Sequence, residues 1–205
     1  MYMKIIFNEG IVLSIVATGA IFIYTLGSFD ISLGAATLFS ATIGVVTYNA
    51  TESIVLMIAV IMLTGIGCSL LNSVLASIFH IPVFVTTVAM MSVLSAVASQ
   101  IITTKGGAVG GISIPSEVVK GLDTSGFKIL VLVVWVLVCT FIFNYTKFGR
   151  CEKFVGGNPI CAQLSGIKYN TYAILGFFLA GIGVGIGAFM TLVYTPSVTT
   201  TTAGD

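Results

Sequence analysis

Six stretches of this 205-residue chain, at 11 to 26, 33 to 49, 53 to 78, 83 to 102, 129 to 146 and 171 to 194, contain no Asp, Glu, Lys or Arg. A helix that crosses the hydrocarbon core of a bilayer needs about 20 such residues, and in lipid only helices or closed barrels satisfy every backbone N–H and C=O. The runs therefore predict an all-α polytopic membrane protein of about six transmembrane helices, a single domain over residues 1–205 in a lipid bilayer. Composition agrees: 57% of residues are hydrophobic and 7% are charged, where soluble domains carry about 25% charged residues. A formal net charge of +1 gives no basic footprint, which excludes a nucleic-acid partner.

Cys68 and Cys139 lie inside apolar runs, and Cys151 and Cys161 stand ten apart with no histidine near them. That is neither a disulfide framework nor a zinc spacing, so reduced thiols and no metal or other cofactor are expected. Glu9 and Gly10 interrupt the chain start too early for a cleaved signal peptide. Four of the eight basic residues, Lys147, Arg150, Lys153 and Lys168, fall between the last two runs against one acid, Glu152. The positive-inside rule places that loop in the cytoplasm, and the loop 103–127 outside. Counting back through six crossings leaves the N-terminus outside as well, an arrangement that one more helix ahead of the first run would reverse.

With one histidine and no H-E-x-x-H, G-x-S-x-G or G-x-x-x-x-G-K-[ST] pattern, metallopeptidase, hydrolase and nucleotide-hydrolysing readings lack their parts. No catalytic residue is expected. His80 reads as an interfacial residue at a helix junction, where Pro82 opens the next helix. Proton- or voltage-driven transport needs ionisable groups at membrane depth; here only Asp30 could lie there, so energy for pumping has to come from elsewhere. Ser32, Asn72, Thr86, Thr87 and Ser92 are candidate lining groups for a polar uncharged solute, although the plainer reading of any one of them is a bond to a neighbouring helix. Asp30 lies in a break, residues 27–32, rich in turn formers; the runs on either side form two tilted spans or a hairpin that does not fully cross. Its carboxylate either caps a helix starting at Ile31 or belongs to irregular backbone lining a pathway. In the last run, Gly181, Gly183, Gly185 and Gly187 offer overlapping small-x-x-x-small faces for close packing.

In the basic loop, Asn158 is a good N-cap, Pro159 suits the first helical position, and Gly166 can end the helix in the left-handed conformation. A short helix over 159–165 is predicted. Two turns do not stand alone in water. Ile160, Cys161 and Leu164 share one apolar face, which has to pack on its own bundle or dock in a partner's groove.

The run from Gly149 to Ile167 resembles the loop signature of the ribose-type sugar permeases of bacterial ABC importers. Asp30, Ile31, Ser32, Leu33 and Gly34 resemble their D-[LI]-S-x-G motif, and Ile81 to Thr87 their I-P-x-F-[IV]-x-T helix opening. Gly65 and Asn72 are similar to a glycine-rich helix ending in Asn. The pattern is departed from at Ser28, Ala89 and Met90. The resemblance implies an ATPase-coupling helix carried by Gly149, Arg150, Gly156, Gly157, Asn158, Ile160, Ala162, Leu164, Ser165, Gly166 and Ile167, and a substrate pathway at Asp30, Ser32, Asn72, Thr86, Thr87 and Ser92. It implies as partners a cytoplasmic ATP-binding subunit, a second permease copy and an extracellular sugar-binding protein, in the bacterial cytoplasmic (inner) membrane. Family members have a further helix before the equivalent of Ile11 and several spans after the Thr-rich stretch 199–202, so the chain is expected to be incomplete at both ends. A structural membrane subunit without transport of its own, or an inactive truncated permease, is the competing reading. The residues do not name the solute.

Overall fold

The computed structural model describes residues 2–106 and 110–199. In chain order the elements are α1 (Tyr2–Thr25), α2 (Leu33–Thr51), α3 (Ile54–Phe79), α4 (Val83–Gly106), β1 (Gly111–Ser113), α5 (Ser116–Lys120), α6 (Ser125–Tyr145), α7 (Lys147–Gly157), α8 (Pro159–Leu164), α9 (Tyr169–Tyr194) and β2 (Ser197–Thr199). The helices α1, α2, α3, α4, α6 and α9 are long and apolar enough to cross a membrane. The protein is an all-α polytopic membrane protein.

Local chemistry sets the boundaries. The Ser53 hydroxyl accepts the Leu56 N–H at 3.4 Å at the start of α3. Its end is marked by His80 in the left-handed region, φ 53°, with Pro82 following, which cannot continue a helix ladder. Two starts differ from expectation. α1 begins well ahead of Ile11 because Glu9 does not break it: its carboxylate accepts from the Tyr194 hydroxyl at 2.6 Å. α6 begins at Ser125 rather than at 129 because Lys128 is buried with partners, an ion pair to Asp123 and a 2.8 Å bond to Asn8.

The loop 103–127 is not featureless. β1 pairs antiparallel with β2, Ile112 opposite Val198, and this small ribbon with α5 closes one end of the bundle. Ile112, Ile114, Val119 and Val198 join Val45, Met57, Ile61, Ile102 and Leu192 in one buried cluster. Thr199 ends β2; the rest of the Thr-rich stretch, and the chain's last residues, lie outside the described residues.

α9 is the axis of the bundle, and its glycines divide by face. Gly183 meets Gly19 of α1 and Gly187 meets Val16, while Gly181 and Gly185 meet Ile66 and Met62 of α3. A Cβ on Gly65 would lie 2.8 Å from the Gly185 nitrogen, and one on Gly181 2.7 Å from the Ile66 Cα. The expected small-residue faces therefore exist, one for each antiparallel neighbour, and let backbones approach where helices in lipid gain dispersion contact.

The same pairings fix the sides. The Thr25 end of α1 abuts Gly156 in the basic segment, whereas its Glu9 end meets the far end of α9. The start of α1 and the basic loop thus lie at opposite ends of the bundle, as the charge count requires. α1 runs about 36 Å and α2 about 28 Å at 1.5 Å per residue. Leu33, however, packs with Ala20, Cys68 and Val184 in the middle of their helices, so α2 starts inside the bundle. The break before it is irregular backbone buried in protein, the condition under which such backbone survives at membrane depth.

Candidate functional site

The break and α3 build a buried polar layer. Asp30 does not cap a helix at Ile31: α2 starts at Leu33, with Ser32 at the N-cap position. Instead, Asp30 Oδ1 accepts the Ser32 N–H at 2.8 Å and the Ser32 hydroxyl at 2.7 Å. Asn72 of α3 donates from Nδ2 to Ser32 Oγ at 2.7 Å and to Asp30 Oδ2 at 3.4 Å. From α4, Thr87 Oγ accepts the Ile31 N–H at 3.4 Å and donates to Phe84 O at 3.0 Å. Asp30, Ser32, Asn72 and Thr87 are all buried. Four of the six expected pathway residues therefore meet at one level. Thr86, next to Thr87 in sequence, has a buried hydroxyl lacking a partner. Ser92 does not join: it is exposed and bonds Val88 O of its own helix at 3.4 Å.

Two cavities approach this layer from opposite ends. One of about 480 Å³ runs between α1 and α2 from Glu9, Tyr194 and Ser197 past Thr37 to Tyr24 and Asp30. The other, of about 560 Å³, opens at the basic end and is lined by Ser28, Ser73, Ser77, His80, Tyr169 and Asn170. Residues 27–30 border both, Asp30 on one side and Gly27, Ser28 and Phe29 on the other. Ser69 and Ser73 were missed by sequence reasoning, although with Asn72 they recur at i, i+3 and i+4 on one face of α3. Both hydroxyls are buried without a partner, as is Asn72 Oδ1.

The second place is the basic segment, where α7 and α8 form a helical corner. Asn158 Oδ1 accepts the Cys161 N–H at 3.0 Å, and Pro159 occupies the first turn. At the other end Gly166 takes φ 82°, and the Ile167 N–H bonds Ala162 O at 2.9 Å, which closes the helix with a left-handed cap. Ser165 is the C-cap, one residue earlier than expected, and its hydroxyl bonds Cys161 O at 2.9 Å. Ala162 is buried with Leu26, Val155 and Ala173, and Ile167 packs on them. Ile160 and Leu164 point the other way, 73% and 84% exposed. Of the two destinations open to that apolar face, its own bundle is not the one taken. Gly149 and Gly156 press α7 onto the ends of α6 and α1, where a Cβ would meet the carbonyls of Phe143 and Thr25. Arg150, Gly157 and Asn158 stay exposed.

Over residues 2–204 the chain matches the family described as branched-chain amino acid transport system / permease component. The chain belongs to this permease family. Among curated proteins it is 31% identical over 192 residues to the L-arabinose ABC transporter permease protein AraH of Azospirillum brasilense, covering 89% of this chain and 55% of that protein. It is 25% identical to the autoinducer 2 import system permease protein LsrC of Yersinia enterocolitica, over 86% of this chain and 49% of the relative. The ribose import permease protein RbsC of Haemophilus influenzae is 23% identical, over 82% and 53%. The chain thus spans about half the length of the curated relatives it matches. No solved structure matches it. The relatives are named for different solutes, so the match identifies the permease architecture and leaves the solute open. With six helices among the described residues long and apolar enough to cross a membrane, this member of the permease family is a multi-pass protein of the bacterial cytoplasmic membrane.

Proposed function

We propose that residues 1–205 act as a transmembrane permease domain of an ATP-binding-cassette importer for a sugar or similar small polar solute. The chain itself carries out no chemistry; energy comes from a separate cytoplasmic ATP-binding subunit. The observation that carries this reading is α8. A helix anchored at both caps and by Ala162 holds Ile160 and Leu164 bare at the basic end of the bundle, and burying such side chains on a partner is worth about 1.5–3 kcal/mol each. Residues 149–167 are then the ATPase-coupling segment.

Asp30, Ser32, Asn72 and Thr87, with Thr86 next to Thr87 in sequence, form the closed point of the solute pathway between the two cavities. The unpartnered oxygens of Ser69, Asn72 and Ser73 suit hydroxyl-rich solutes, which exchange hydrogen bonds without needing a counter-charge. A second permease copy and an extracellular sugar-binding protein complete the assembly in this reading. Uptake of labelled pentoses and hexoses by cells expressing the permease with its ATP-binding and solute-binding partners tests it. Leu164→Asp should abolish uptake while membrane insertion stays normal; unchanged uptake by that variant refutes the coupling role, and uptake of no solute by the unmodified assembly favours a structural subunit.

A further inference from the structure

Glu152, the single acid of the basic segment, is fully buried, and neither of its carboxyl oxygens has a hydrogen-bond partner. It lies on the stripe of α7 that faces the bundle, since Gly149, Glu152 and Gly156 recur at i, i+3 and i+7. Between the close contacts of Gly149 with α6 and Gly156 with α1, its side chain enters the gap between α1 and α9. There Oε1 lies 3.1 Å from the position a Cβ on Gly176 would take, with the Leu26 side chain and the Phe22 carbonyl oxygen 3.4 and 3.5 Å from the same point. The Leu26 N–H is given to Ile23 O at 3.2 Å. A carboxylate in that gap would face a carbonyl oxygen and apolar carbon. A carboxylic acid has an O–H to donate.

Among the described residues no basic group forms an ion pair with Glu152. On α7, the Lys153 ammonium is held by Asn144 at 3.0 Å and stands 4.0 Å over the Phe143 ring. Arg150 is exposed. On α9, Tyr172 stacks on Phe148. On α1, Tyr24 stacks on Phe29. α8 brings no acid or base except the exposed thiol of Cys161, and the last turn of α6 has no basic residue. Burial pushes the Glu152 carboxyl up to about 8, with Lys153 pulling it partly back.

We propose that Glu152, as the neutral acid, is a positioning residue that seats α7 on the ends of α1 and α9, so that docking of this basic corner takes up a proton. α8 follows α7 directly through Asn158, so the placement of the exposed Ile160 and Leu164 depends on the same seat. The sign follows from linkage. The docked state holds its proton up to about pH 8, and the released acid only to its ordinary value of 4.5. Docking therefore weakens about tenfold per pH unit as pH rises between those values, and levels off above the higher one. This inference stands whether or not α8 meets an ATPase.

Hydrogen exchange of the full chain in lipid nanodiscs from about pH 6 to 9, corrected for intrinsic rates and referenced to α9, reads the docking directly. Protection of residues 147–157 should fall by about 50-fold between pH 6 and 8 and then flatten. Glu152→Gln, which keeps the shape and a donor but does not titrate, should show no such slope. A pH-independent α7 in the unmodified chain, or the same slope in Glu152→Gln, overturns the proposal. Infrared spectroscopy of the unmodified chain gives a second reading: a protonated-carboxyl band present at pH 7 and lost above pH 8 supports it, and absence of the band at pH 7 overturns it.

Discussion

α9 and α8 are both short of charge and rich in apolar side chains, yet they use them in opposite ways. α9 is buried on two sides by the chain itself, with Phe177, Val184, Met190 and Leu192 at 2% exposure or less. α8 buries only Ala162 and leaves Ile160 and Leu164 bare. Exposed carbon is not in itself informative here. On α6, Leu137 and Phe141 are also more than 60% exposed, but they lie within a span, where lipid tails are as apolar as they are. α8 lies beyond the end of the spans, in the segment that carries the basic residues. The difference teaches that the bundle is self-sufficient at its axis and open at its basic corner. Mutations should therefore separate into those that unfold the protein and those that disconnect it.

The largest stability effect is expected at the axis. Gly65→Leu forces side-chain carbon against the Gly185 backbone, and overpacking of this kind costs up to about 3 kcal/mol; thermal unfolding of purified protein in detergent should show a large drop in Tm. An unchanged Tm would mean that α3 and α9 can part without loss. Asn72→Leu should cost about 1–3 kcal/mol, because Asp30 and Ser32 lose a buried donor. It should also abolish uptake, whereas Ser92→Ala should leave both stability and uptake unchanged. Equal behaviour of the two variants would remove the polar layer from the pathway.

Gly166→Val should cost about 1–3 kcal/mol locally, since a β-branched residue at φ 82° is strained. Its effect should appear as exchange of the α8 amides rather than in the global Tm. Leu164→Asp, at the bottom of the scale, should change stability by less than about 0.5 kcal/mol, the usual range for an exposed site. A large fall in Tm would show that Leu164 packs on its own chain. The native thiols sharpen the same contrast without mutation. In folded protein a water-soluble maleimide should modify exposed Cys161 rapidly and leave buried Cys68 and Cys139 unmodified; protection of Cys161 in the isolated chain would contradict an uncovered α8.

The sequence showed the spans and the caps clearly because each rests on local chemistry. The uncharged runs fix where lipid can be met, and Asn158, Pro159 and Gly166 write α8 within a few residues of one another. What it concealed depends on contacts between distant parts of the chain. The start of α1 is hidden because Glu9 is satisfied by Tyr194, 185 residues away. The β1–β2 ribbon is only three residues deep, too short for an alternation to register, and its strands lie on either side of five helices. Glu152 reads as a solvated charge in a basic loop, and only the glycine contacts of α7 bring it inside. Of the expected pathway set, the residues near the break converge because two chain reversals fold α3 and α4 past it. Ser92 drops out because it lies further along α4 on another face.

The most direct test starts from Cys161, a native thiol on α8. With Cys151 replaced by Ser, a photoreactive maleimide on Cys161 should, on irradiation of membranes containing the permease and its co-expressed ATP-binding subunit, produce a covalent product between the two. The yield should fall to background with Leu164→Asp. Products confined to lipid, or an equal yield with Leu164→Asp, would contradict docking of an ATPase on α8.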